Sequence, residues 1–154
     1  MKNLIEWTDD LSVNIQEIDE QHKILVDLVN KLYKSIITQT EKNTVYDVLN
    51  ELVQYTTIHF AVEESLMRIF DYPHYEEHKK HHEALKKQVV DLQDKVWETA
   101  EDSVSMELLR FLRGWLTKHI MQEDKRYVSF FLDKGLQPTW AKRSWIGKIW
   151  HFGK

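Results

Sequence analysis

Residues 59–82 read HFAVEESLMRIFDYPHYEEHKKHH, five histidines and four glutamates in one stretch. Imidazole nitrogens and carboxylate oxygens bind metals when several share one buried face; otherwise they are solvated surface groups. Helical spacing separates the two cases. His59 and Glu63 are four residues apart, as are His78 and His82, so each pair falls on one face of a helix. His81 lies about 100° around the helix from His82 and is expected to face solvent, and His74 falls in the turn at Tyr72-Pro73. Neither is counted as a ligand.

The elements that must position these groups show in the apolar periodicity, which steps by fours and threes. A first helix carries Ile18, His22, Leu25, Val29, Leu32 and Ile36 on its inward stripe. A second, starting near a capping signal at Thr44, carries Val45, Leu49, Leu52, Thr56, His59, Glu63, Leu66 and Phe70. Tyr72-Pro73 is expected to stop it and open a third helix, with His78, His82, Leu85, Val89, Leu92 and Val96 inward. The fourth, after Asp102-Ser103, runs Leu109, Leu112, Leu116, His119, after which a regular ladder would bury Arg126. A one-residue shift brings Asp124, Tyr127 and Phe131 inward instead, which predicts an extra residue such as a π-bulge between His119 and Asp124. Gly135 supplies a C-terminal stop. The fold class that follows is all-α: an antiparallel, up-down-up-down four-helix bundle over residues 1–135, with an N-terminal arm and a C-terminal extension over 136–154.

Composition agrees with one helical domain. The chain has 154 residues, only four glycines and two prolines, and no cysteine, which excludes disulfides, thiolate metal sites and iron–sulfur clusters. Its N-terminus lacks the apolar run of a signal peptide, and no stretch reaches the length of a membrane span, so a cytoplasmic protein is expected. The formal net charge is −4, and the extension holds four basic residues and no acid, so the body is more acidic still. Nucleic-acid binding by the body is disfavoured.

Five inward imidazoles (His22, His59, His78, His82, His119) and two inward carboxylates (Glu63, Asp124) would be costly to bury without partners. In an up-down-up-down bundle they meet at one end of the core. Seven ligands exceed the needs of one tetrahedral zinc, so two metal ions are expected; nitrogen and oxygen donors suit iron, manganese, zinc or copper. A donor set dominated by neutral nitrogen favours reduced metals, and reversible binding over oxygenation.

These residues resemble the hemerythrin family, specifically its single-domain bacterial members. The likeness runs over about residues 7–131 and rests on Trp7, SVNIQEIDEQH, His59 with Glu63, YP followed by His78 and His82, and WLTKHIMQED. It implies two iron ions in a non-heme, oxo- or hydroxo-bridged di-iron centre. His78, His82 and His119 would hold one iron and His22 and His59 the other, with Glu63 and Asp124 bridging. Dioxygen would bind at the open position on the second iron, taking one electron from each iron and giving both back on release. Glu64 is out of register with His59 and is expected to be solvated. Leu25, Phe60, Trp115, Leu116 and Ile120 are similar to positions lining the family's oxygen pocket.

The expected function is reversible dioxygen binding for transport, storage or delivery, by a monomer that is not an enzyme. An oxygen or redox sensor, or a di-iron enzyme acting on peroxide or nitric oxide, are the alternatives. The extension LQPTWAKRSWIGKIWHFGK, with Trp145, Ile149 and Phe152 at helical spacing, reads either as an arm packed on the acidic bundle or as a cationic segment docking on a membrane surface or a protein partner. His151 belongs to it and is not counted as a ligand.

Overall fold

The computed structural model describes residues 2–38, 42–98 and 102–136, apart from the side chains of 42, 43, 102–105 and 119–121. The C-terminal extension beyond Leu136, with Trp145, Ile149, His151 and Phe152, therefore lies outside the described residues, as do the side chains of His119 and Ile120.

Helices α1 (Gln16–Ile37), α2 (Lys42–Ile69), α3 (Tyr75–Glu98), α4 (Asp102–Lys118) and α5 (Lys125–Asp133) follow a short 3₁₀ turn, Asp9–Leu11. A π-helical turn, His119–Asp124, joins α4 to α5, so these three segments form the fourth long helix. Each long helix packs on two others, α1 on α2, α2 on α3, α3 on α4 and α4 back on α1. No strand occurs among the described residues. No described helix is long and apolar enough to cross a membrane.

Most of the stripe residues are buried as the periodicity requires, but Leu66, Phe70 and His78 are only partly covered, and at the end of α2 Met67 is the fully enclosed residue. Ile18, His22, Leu25, Val29 and Leu32 are fully enclosed on α1, while Ile36 is only partly covered near the helix end. On α2 the buried run is Val45, Leu49, Leu52, Thr56, His59 and Glu63, and on α3 it is His82, Leu85, Val89, Leu92 and Val96. After the π turn, Asp124, Tyr127 and Phe131 are enclosed and Arg126 is exposed, the outcome expected from a one-residue shift. A π turn carries one residue more than an α turn and so advances the face by that residue.

The apolar core falls into two clusters. The larger one holds the bundle interior from Leu25 and Phe60 to Leu108 and Leu116, and the smaller one joins Val13, Ile15, Ile18, Met67, Tyr72, Tyr127, Val128 and Phe131. The polar stripe residues occupy the bundle between them.

Two expected boundaries need correction. Helix α2 begins at Lys42, so Thr44 lies within its first turn and does not cap it. Nor does Pro73 stop α2. The stop is Asp71, whose φ of 52° puts it in the left-handed region. The amides of Asp71 and Tyr72 then bond back to the carbonyls of Arg68 and Met67, at 3.3 and 2.8 Å, which is a Schellman closure. Tyr72 is thereby turned into the core, and Pro73 sits exposed, two residues before α3. Gly135 ends α5 in the same way, at φ 103°, with the Leu136 amide bonded to the Phe131 carbonyl at 3.0 Å.

The N-terminal arm is tied to α1 at two points. The Asn30 side chain exchanges two hydrogen bonds with the Ile5 backbone, at 2.9 and 2.8 Å. Asp19 accepts from the Ser12 hydroxyl at 2.6 Å and the Val13 amide at 2.8 Å.

Candidate metal centre

Four side chains from three parts of the chain meet in the core: His22 from α1, His59 and Glu63 from α2, and Asp124 from the π turn. One donor atom from each lies within 4.8 Å of all the others, and all four residues are fully buried. His22 Nε2 stands 2.6 Å from Asp124 Oδ2. His59 Nε2 lies 3.3 Å from Glu63 Oε1 and 3.6 Å from Asp124 Oδ2. His82, from α3, joins this group through its Nε2, 3.5 Å from the same Glu63 oxygen. Residues early in α1 and α3 thus meet residues late in α2 and in the fourth helix.

The sixth sequence-predicted ligand, His78, is half-buried one turn before His82, with ring centroids 6.3 Å apart. It borders the cluster and packs edge-on against Tyr127 at 5.5 Å. The seventh, His119, has its backbone in the π turn five residues before Asp124.

Burial dominates the electrostatics. It lowers the pKa of His59 to about 4, against the opposing pull of the Asp124 carboxylate, so His59 is neutral near pH 7 and presents a lone pair. Burial also holds Glu63 well above the usual carboxylate range, and the adjacent charge of Asp124 adds to this. His78 is lowered as well, again by burial. Imidazoles around two carboxylates whose charges disfavour each other make a donor set that a cation would balance, and its nitrogen and oxygen chemistry fits iron.

An outer layer of polar residues, not expected from the helical periodicity, holds these rings. The Nδ1–H of His59 donates to Gln21 Oε1 at 2.7 Å, a buried contact across α1 and α2. His82 Nδ1–H donates to Glu64 Oε2 at 3.0 Å, so Glu64 is not the solvated residue expected but a partner bridging α2 and α3. Register with His59 was the wrong test for it, because its partner lies on another helix. His81 is half-exposed and reaches Glu123 Oε2 at 2.7 Å, tying α3 to the π turn. His74 is exposed, near Glu77, and far from the cluster in character. The signal common to Gln21, Glu64, His81 and Glu123 is that each sits next in sequence to a stripe residue of the cluster.

Apolar side chains stand beside the cluster. Leu25, Phe60, Trp115 and Leu116 are buried in the larger core cluster. The Phe60 ring stacks flat on His82 with centroids 3.9 Å apart, and meets Trp115 edge-on at 6.2 Å.

Fold and site together define a class: a helical bundle whose core holds a buried histidine and carboxylate metal site. The chain matches the family model for the hemerythrin HHE cation-binding domain over residues 13–131, and it belongs to the hemerythrin family. It is 37% identical over 125 residues to a bacteriohemerythrin of Stenotrophomonas maltophilia, covering 81% of this chain and 80% of that one. A bacteriohemerythrin of Pseudomonas aeruginosa is 39% identical over 122 residues, 79% of this chain and 78% of the relative. Among solved structures, wild-type hemerythrin superposes with a TM-score of 0.74 at 33% identity, over 82% of this chain and 96% of that one. Family and cluster together support a di-iron, oxygen-binding protein.

Proposed function

We propose that the protein binds dioxygen reversibly at a non-heme di-iron centre held by His22, His59, Glu63, His78, His82, His119 and Asp124, in the service of oxygen transport, storage or delivery. The observation that carries this reading is the convergence of His22, His59, Glu63 and Asp124 within 4.8 Å in a fully buried part of the core. Bound iron would supply the electrons that hold dioxygen and recover them on its release.

The chain's own residues do the rest. Glu63 and Asp124, placed between the histidines of different helices, would hold the metal together with those histidines. Gln21 and Glu64 fix the rings of His59 and His82 with Nε2 directed into the cluster. Leu25, Phe60, Trp115 and Leu116 are the buried apolar side chains that would exclude water from the site.

The test is the metal content and visible spectrum of the purified protein. About two irons per chain, with an absorption band that appears on oxygenation and disappears on degassing, is the expected result. A colourless zinc protein, or consumption of peroxide with no stable oxygenated form, would overturn the proposal.

A further inference from the structure

The two ring-holding contacts are alike in geometry and unlike in charge. His59 Nδ1 is met by the neutral carbonyl of Gln21, at 2.7 Å, with both residues fully enclosed. His82 Nδ1 is met by a carboxylate, Glu64, at 3.0 Å. Each partner comes from the preceding helix and stands beside a proposed ligand, Gln21 next to His22 and Glu64 next to Glu63.

Orientation alone does not require this difference. Either partner accepts the Nδ1 proton and directs Nε2 into the cluster. An anionic acceptor does more, because it draws the shared proton and makes the imidazole a richer electron donor to whatever sits at Nε2. Gln21 adds a further clue: its Nε2 makes no hydrogen bond among the described residues, so the buried amide is used only through its carbonyl. What this place supplies is an acceptor for His59 that brings no charge.

We propose that Glu64 and Gln21 are positioning residues that add to the inequality which three histidines against two already give the halves of the metal centre, with the anionic partner tightening iron on the His82 side and the neutral one leaving the His59 side looser. The inference rests on the ligand set given under Proposed function, in which His82 and His59 serve different irons. Glu64 and Gln21 act through the imidazoles and touch neither metal nor dioxygen.

The experiment is anaerobic iron release from the ferrous protein into excess bipyridine, followed by absorbance, for the wild type, Glu64→Gln and Gln21→Glu. Circular dichroism of each protein establishes that it is folded. The wild type is expected to release iron in two phases of equal amplitude. Glu64→Gln keeps the hydrogen bond and removes only the charge; it should quicken the slow phase about tenfold or more, the usual scale of such outer contacts, and leave the fast phase unchanged. Gln21→Glu should slow the fast phase. A purely orienting role for Glu64 predicts no change in Glu64→Gln, and that result, or an equal change in both phases, would overturn the proposal. Should Glu64→Gln fail to fold, Gln21→Glu decides, since an unchanged fast phase there is equally fatal. A wild type that takes up fewer than two irons sinks the ligand set itself, and the inference with it; two irons released in a single phase sink the inference alone.

Discussion

Glu63 is the residue at which metal binding and stability oppose each other most directly. In the metal-free chain it is a buried carboxyl whose pKa is raised by burial and by Asp124. A raised carboxyl favours the folded state fully below its unfolded value of 4.5, and that contribution is lost as pH rises through the folded value. His59 works the other way. Its contribution is present above 6.5 and is lost as pH falls towards about 4. Replacing Glu63 by Gln removes the first effect and leaves the His59 imidazole in place. The metal-free variant should therefore be more stable than the metal-free wild type at pH 7.5, by about 1–3 kcal/mol, with the gap closing by pH 4.5. Urea midpoints at the two pH values measure it, and a gap independent of pH would contradict this account. The same substitution should reduce iron uptake, which marks the carboxylate as kept for the metal at a cost to the fold.

Among the elements, the π turn His119–Asp124 is the one irregularity inside a long described helix. It was legible in the chain because a regular ladder would bury Arg126, and an arginine is rarely enclosed in a core. The Schellman turn at Asp71 was less legible: proline is the louder signal, whereas the left-handed φ of an aspartate depends on the closure around it. Removing the exposed residue Gln122 should let an ordinary ladder run through. Tyr127 and Phe131 would then remain inward, so the fold should hold to within about 1 kcal/mol. Iron content should fall nonetheless, because the spacing from His119 to Asp124 is altered. Loss of helical structure in this deletion, with or without iron, would mean that the extra residue serves the bundle and not the site.

Taken whole, the molecule is a bundle with a polar site set into its core, and metal should act as a ligand of the folded state. Iron at 100 times its dissociation constant would add about 2.7 kcal/mol and raise Tm by roughly 5–10 °C. Stripping it with a chelator should reverse the gain, as thermal melts by circular dichroism would show; equal Tm with and without iron would argue that the cluster holds no metal.

Much of this was already in the order of the amino acids. The 3.6-residue repeat fixes which face of each helix is buried, so the inward places of His22, His59, Glu63, His82 and Asp124, and the shift before Asp124, follow from local geometry. The pairing across helices is not local. That Gln21 meets His59, that Glu64 meets His82, and that His81 reaches Glu123 depends on the rotation and height of one helix against the next, to within an ångström or two. A period within one helix carries no information about its neighbour's angle, and so these partners became visible only once the helices were packed.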